Sequence, residues 1–204
     1  MKNCQICPQM ERLFENMHKN GAINELTIVD IGDKPEVAQQ YKIRSVPHYL
    51  INDVAFYGLK TEKEIKLLLQ QDKAEKIKEF ITGELSEGQL ESVEKLIQES
   101  SEARDVMMLQ LNDRETSLVL RIGFSAIIES LAGTGLFNDI ENQFIKLASH
   151  EDERIAVDGI YYLSLLATDA SLSALTVISK NGKGILPSQA IEVLEDLSSD
   201  ETLH

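Results

Sequence analysis

Met10, Leu13, Phe14 and Met17 recur at the spacing of a helix with one apolar face, and Pro8 fits the first turn of such a helix because its missing N–H has no helical partner there. Asn20-Gly21 closes that helix. Leu26-Thr27-Ile28-Val29-Asp30-Ile31 then reads as a buried strand, and residues 36–41 as a short helix. His48-Tyr49-Leu50-Ile51 and Val54-Ala55-Phe56-Tyr57 are two short apolar runs joined by Asn52-Asp53, a two-residue connection of the kind that closes a hairpin. Thr61-Glu62-Lys63-Glu64 is a capping box ahead of Ile65, Leu68 and Leu69. The predicted order is helix, strand, helix, hairpin, helix.

From about Asp72 the strand pattern gives way to helical periodicity. Ala74, Ile77 and Ile81 predict a connecting helix stopped by Gly83, and Ser86-Glu87-Gly88-Gln89 resembles a second capping box, leading to Leu90, Val93, Leu96 and Ile97. A further helix holds Val106, Met107, Leu109 and Leu111. Residues 125–132 and 161–167 each end one helix ahead of another, residues 137–147 and 171–179, and Ala132 and Ala167 are 35 positions apart. Ala156, Ile160 and Leu163 recur as Ala190, Leu194 and Leu197 at a spacing of 34. Such periods imply stacked helical hairpins. Asp152-Glu153-Arg154-Ile155-Ala156 resembles the start of a HEAT-like repeat, and roughly three helix pairs would fill residues 84–198. The expected division is residues 1–72, a connecting helix over 73–85, and a helical-repeat domain over 86–204.

Charge separates the same two parts. Residues 1–72 hold 9 Lys/Arg against 10 Asp/Glu, whereas residues 73–204 hold 11 against 24, so nearly all of the net charge of −14 belongs to the helical part. An acidic surface repels phosphate backbones, which disfavours nucleic acid as a partner and suits solubility or a basic partner protein. No apolar run reaches the roughly 20 residues that span a bilayer, and Met1-Lys2-Asn3 contains no signal-peptide hydrophobic region. The expectation is a cytoplasmic protein without a membrane partner.

The two cysteines, Cys4 and Cys7, bracket Gln5-Ile6 at the start of the first predicted helix. Two thiols in one helical turn close a disulfide with little strain, and unpaired N–H groups there favour a thiolate. Disulfides in the cytoplasm are mostly transient, so this pair reads as dithiol/disulfide exchange rather than a staple. Cys-x-x-Cys is also half of a metal knuckle. No second pair exists, and His18 and His48 give no Cys2His2 spacing, so no metal and no cofactor is expected, although a cluster shared between two subunits would need only this pair.

Cys4, Cys7 and Pro8, followed some 40 residues later by Val46-Pro47 and a hairpin ending at Gly58, resemble the thioredoxin/glutaredoxin superfamily, and within it the glutaredoxin-like modules with Cys-x-x-Cys-Pro. The resemblance covers about residues 4–70. It implies an α/β thioredoxin-like N-terminal domain in front of the all-α, HEAT-like C-terminal domain. It also implies Cys4 as the attacking thiolate, Cys7 as the resolving thiol, and Val46-Pro47 as a cis-proline pair facing the disulfide, with the Val46 backbone open to an extended substrate. Pro8 and His48 are auxiliary candidates; His48 either lends the thiols positive charge or is an ordinary strand residue.

The chain departs from the family in three respects. Gln5-Ile6 is neither the Gly-Pro usual in thioredoxins nor the Pro-Tyr usual in glutaredoxins. No counterpart of the buried proton-transferring acid is evident, since Asp30 sits at the wrong end of its strand. Family members also carry an apolar strand directly ahead of the first cysteine, where this sequence has Met1-Lys2-Asn3; the expectation is an N-terminal piece ahead of them, the other reading being a sheet completed by another segment or subunit.

In the helical part, Met107, Met108, Phe124, Phe144, Tyr161 and Tyr162 could line a peptide groove but at this spacing are expected in the core. Arg121 and Arg154 are expected to pair with neighbouring carboxylates. The functional expectation is a thiol–disulfide oxidoreductase acting on client protein disulfides, recycled by an external thiol reductant, with a protein partner on the helical domain. The alternative is a non-catalytic scaffold or adaptor with a thioredoxin-like docking domain.

Overall fold

The computed structural model describes residues 4–41 and 43–200. The chain divides into two compact units, Met1–Phe80 and Ile81–His204.

The first unit contains α1 (Cys7–Lys19), α2 (Pro35–Gln40), β1 (His48–Ile51), β2 (Val54–Tyr57), α3 (Glu62–Gln70) and the start of α4 (Lys73–Ser86). Met10 and Met17 turn the buried face of α1 inward. β1 and β2 pair antiparallel with Ile51 opposite Val54 and His48 opposite Tyr57. Asn52 and Asp53 both take positive φ, 51° and 65°, the geometry that matches a tight hairpin to the twist of its strands. The Thr61 capping box is complete: Thr61 Oγ1 accepts from the Glu64 N–H, and the Thr61 N–H donates to the Glu64 carboxylate at 2.7 Å. Ile51, Val54, Phe56, Ile65, Leu68 and Ile77 are buried with the two methionines.

The strand expected over residues 26–31 does not form. Among the described residues the sheet is β1 and β2 alone; residues 26–30 take no regular structure and Ile31 opens a turn, with Ile28 50% and Val29 38% exposed. A strand, unlike a helix, completes its backbone hydrogen bonds only on a neighbour, so apolar pattern without a partner gives no sheet.

The second unit holds the rest of α4 and α5 (Leu90–Glu99), α6 (Ser101–Leu111), α7 (Leu118–Leu131), a 3₁₀ turn (Ala132–Thr134), α8 (Glu141–Leu147), α9 (Glu153–Leu166), α10 (Asp169–Asn181) and α11 (Leu186–Asp200). Gly83 does not stop α4. An interior glycine weakens a helix without removing any of its hydrogen bonds, and the reversal comes at Gly88 instead, at φ 74°. There the Gln89 N–H donates to Glu84 O at 2.8 Å and the Gly88 N–H to Leu85 O at 3.1 Å, the paired bonds of a glycine-terminated helix. Ser86 therefore lies in α4, and no capping box forms over residues 86–89: the residue ahead of α5 is Gln89, whose side chain makes no cap. α6, α7, α9 and α10 are capped by Ser100, Ser117, Asp152 and Thr168.

Met107, Met108, Phe124, Phe144 and Tyr162 lie in this unit's core, whereas Tyr161, expected there too, is 39% exposed. Phe144 packs edge-on to Phe137 and Tyr162 at centroid distances of 5.7 and 5.8 Å, a favoured aromatic geometry. Polar links join residues 35 to 38 positions apart. Arg121 pairs with Asp158 at 2.9 Å, a separation of 37 residues, and Ser125 meets Tyr162 at the same separation. Arg104 reaches Asp139, 35 residues on, and Gln143 reaches back 38 residues to Asp105. Arg154 donates to the Arg114 carbonyl at 2.7 Å.

Candidate active site

Cys4 lies just ahead of α1 and Cys7 is its first residue. The two are joined in a disulfide with a Cα–Cα distance of 5.5 Å, within the span a bridge tolerates. The Cys7 backbone N–H donates to Cys4 Sγ at 3.0 Å. Pro8, in the first turn, has no N–H to offer, and the next two amides, Gln9 and Met10, are spent on Ile6 O. Cys4 is thus the sulfur that receives the helix-terminal donor. A backbone donor aimed at a sulfur stabilises negative charge on that atom when it is reduced.

Across from the pair, Cys4 Sγ lies 3.7 Å from Val46 O. The Val46–Pro47 peptide bond is cis, and Pro47 O accepts from the Gly58 N–H at 3.0 Å, tying this turn to the far end of the hairpin. Cys4, Cys7, Val46 and Pro47 are therefore brought together by two short segments, the start of α1 and the entry to β1.

His48 opens β1 directly after Pro47. Burial pulls its imidazole below the ordinary range, and Nε2 is buried with no hydrogen-bond partner among the described residues. Burial favours the uncharged ring, which works against a positive charge at this position. His18 is on the exposed side of α1, where Nδ1 meets Ile23 O at 2.9 Å. Among the described residues no group of three or more metal-ligating side chains comes together.

Sequence reasoning missed Tyr49. Its ring packs between Phe14 and Phe56, at centroid distances of 5.1 and 6.2 Å, while its hydroxyl is buried without a partner among the described residues, and burial drives its pKa far upward. The signal available was a phenol inside an apolar strand, where no predicted neighbour could accept from it. Beside it lies a cavity of about 1010 Å³ lined by Cys7, Met10, Phe14, Leu26, Ile28 and Tyr49, among others. Cys7 thus stands at the wall of a hollow that also carries polar side chains, Glu11, Glu25 and His48 among them.

Residues 1–70 match the family model of the thioredoxin domain, a match that ends with the last residue of α3. The N-terminal domain is thioredoxin-like. No curated protein and no solved structure matches the chain. The helical remainder lies outside the family match, and its arginines are committed: Arg121 is buried against Asp158 and the Asp113 carbonyl, and Arg104 is divided between Asp139 and the Ile97 carbonyl.

Proposed function

We propose that the protein is a thiol–disulfide oxidoreductase acting on protein disulfides through Cys4 and Cys7. The observation that carries this reading is the pair itself: two cysteines at bonding distance on a helix start, one sulfur holding a backbone donor, within a thioredoxin-like domain. The Cys4 thiolate attacks one sulfur of a client disulfide; that S–S bond breaks, and the client's other sulfur leaves as a thiolate that takes a proton from solvent. Cys7 then attacks Cys4 Sγ, the mixed disulfide breaks, the client's second sulfur leaves reduced, and the Cys4–Cys7 bond forms. Two electrons have passed to the client, and an external thiol reductant returns two to the pair.

Val46 supplies a carbonyl beside the reacting sulfur for an extended client backbone, and Pro47 removes a competing donor. Pro8 leaves the Cys7 amide as the donor nearest Cys4. Domains over 1–72 and 86–204, joined by 73–85, fit this division of labour, with the acidic helical domain, HEAT-like in its period, presenting the surface that recruits a protein partner. A cytoplasmic setting keeps such a pair cycling; among the described residues no helix is long and apolar enough to cross a membrane.

Trapping tests the reading. Cys7→Ser leaves the attacking sulfur without a resolver, so mixed disulfides with clients accumulate on non-reducing gels, whereas Cys4→Ser accumulates none. If neither variant traps a client and the pair does not titrate reversibly against a thiol buffer, the domain is a docking module. In that case the Cys4→Ser/Cys7→Ser variant binds its partner as well as the parent does.

A further inference from the structure

α7 is apolar on both of its sides. Its inner face buries Leu120, Phe124, Ile127, Ile128 and Leu131 in the core. Its outer face carries Leu118, Ile122, Ala126 and Glu129, which follow the spacing of one side of a helix. Leu118 is 70% exposed, Ile122 59% and the adjoining Val119 54%. The helix holds two charged side chains, Glu129 and Arg121, and Arg121 is buried against Asp158. A surface helix ordinarily turns a charged face to water, and a helix that is apolar all round is one that is covered on both sides. Three large apolar side chains open on one short stretch of α7 make a patch rather than scattered singles, and such patches mark interaction sites.

Carboxylates close one end of this patch. The Tyr161 hydroxyl of α9 donates to Glu129 at 3.4 Å, and the Ser130 hydroxyl of α7 donates to Glu94 of α5 at 3.3 Å. The row Glu94, Ser130, Glu129, Tyr161 thus crosses three helices. Both carboxylates accept from neutral hydroxyls, and neither has an ion-pair partner among the described residues. Beside the Leu118 end the arginines are already engaged, Arg114 with Glu151 and Asp152, and Arg154 with the Arg114 carbonyl.

We propose that the outer face of α7 is the docking site for an amphipathic helix of another protein, whose apolar side chains cover Leu118, Val119 and Ile122 and whose lysines or arginines meet Glu129 and Glu94. Within the reading that the helical domain recruits a protein partner, on which this rests, α7 is the recruiting face. α7 satisfies its own backbone, so it offers side chains and no edge to which a strand could add. The occupant must likewise satisfy its backbone by itself. A helix does so, and it seats apolar anchors at i, i+3, i+4 and i+7 on such a face.

Charge selects the basic partner. From residue 73 onward the chain holds 11 Lys/Arg against 24 Asp/Glu. A second copy, a phosphate backbone or an anionic membrane is therefore repelled, while a basic segment is drawn in and held at the two carboxylates that lack a cation.

The test is titration of the full chain with a labelled synthetic helical peptide, leucines along one face and lysines at one end, read by fluorescence anisotropy. Binding is expected to weaken by about tenfold or more in Ile122→Ser, a substitution at an exposed position. Glu94→Gln/Glu129→Gln should weaken it by about threefold and flatten its dependence on salt. Leu109→Ser removes a leucine of α6 that is 69% exposed and should leave the affinity unchanged, as should Cys4→Ser/Cys7→Ser. A peptide of the same composition in scrambled order should bind about tenfold more weakly or worse. No binding by the ordered peptide, equal binding by the scrambled one, or equal loss in Leu109→Ser overturns the proposal. So does a parent protein that self-associates in sedimentation while Ile122→Ser stays monomeric, which would assign the face to a second copy. The redox reading fails separately: a Cys7→Ser variant that traps clients while the peptide does not bind refutes the docking face alone.

Discussion

In the helical unit Phe124, Phe137, Phe144 and Tyr162 are all fully buried, while in the thioredoxin-like domain Ile28 and Val29, from an apolar run, stand partly exposed beside a cavity of about 1010 Å³. The two regions differ in how their backbones are satisfied. A helix completes its hydrogen bonds internally and needs only a neighbour to pack on, so one helix after another can close a core. An extended run needs a second run beside it before its side chains can be buried. The helical unit is thus closed by helix on helix, whereas among the described residues the α/β domain pairs only β1 with β2.

The widest separation between the two regions is expected on truncating one apolar side chain in each. Phe124→Ala removes a fully buried ring and should cost about 3–5 kcal/mol. Ile28→Ala, at a half-exposed position, should stay within about 0.5 kcal/mol. Urea denaturation midpoints of the two variants measure this, and comparable losses would show that residues 24–29 are packed after all.

Two glycines give a smaller contrast. A Cβ on Gly159 of α9 would lie 2.3 Å from the Ala148 nitrogen, so α9 approaches the end of α8 only because that position lacks a side chain. Gly159→Ala should cost about 3 kcal/mol through forced separation of the two segments. Gly83, inside α4, meets nothing within 4 Å, and Gly83→Ala should stabilise by about 0.5–1 kcal/mol because alanine holds a helix with less loss of backbone entropy. If Gly159→Ala were neutral in a thermal melt, the close approach would not matter to the unit's stability.

What the sequence made legible was what is decided within a few residues. The Asn52-Asp53 turn, the Thr61–Glu64 capping box and the α1 face of Met10 and Met17 are local, and each forms as its pattern says. The Cys4–Cys7 spacing is likewise local, and it predicts a bridge. The 26–31 run was not legible, because the same six residues are a strand or irregular chain according to what lies beside them. Nor could the pattern choose between Gly83 and Gly88 as the end of α4, since the choice rests on which one adopts positive φ and frees Glu84 O and Leu85 O for the reversal. The Tyr49 hydroxyl, buried without a partner among the described residues, appears only once helix and hairpin are set against each other.

The smallest effect expected is a pH response of opposite sign in the two regions. His48 in the thioredoxin-like domain is held below its ordinary pKa of 6.5 by burial, so the unfolded chain takes up its proton first as pH falls. Stability is therefore lost from about pH 6.5 downward until the folded pKa is passed, and His48→Gln should remove that loss. Glu84 in the helical unit is buried and held above its ordinary 4.5, chiefly by desolvation, against the opposing pull of the Ser92 hydroxyl that donates to it. Here the unfolded chain gives up its proton first as pH rises, so the folded state is penalised from about pH 4.5 upward, and the penalty is full once the folded pKa is passed. Glu84→Gln keeps an acceptor for Ser92 and carries no charge. Its urea midpoint should match the parent's below about pH 4 and exceed it near neutrality. An advantage that instead stayed constant across that range would mean that the amide improves packing and that the buried carboxylate has an ordinary pKa.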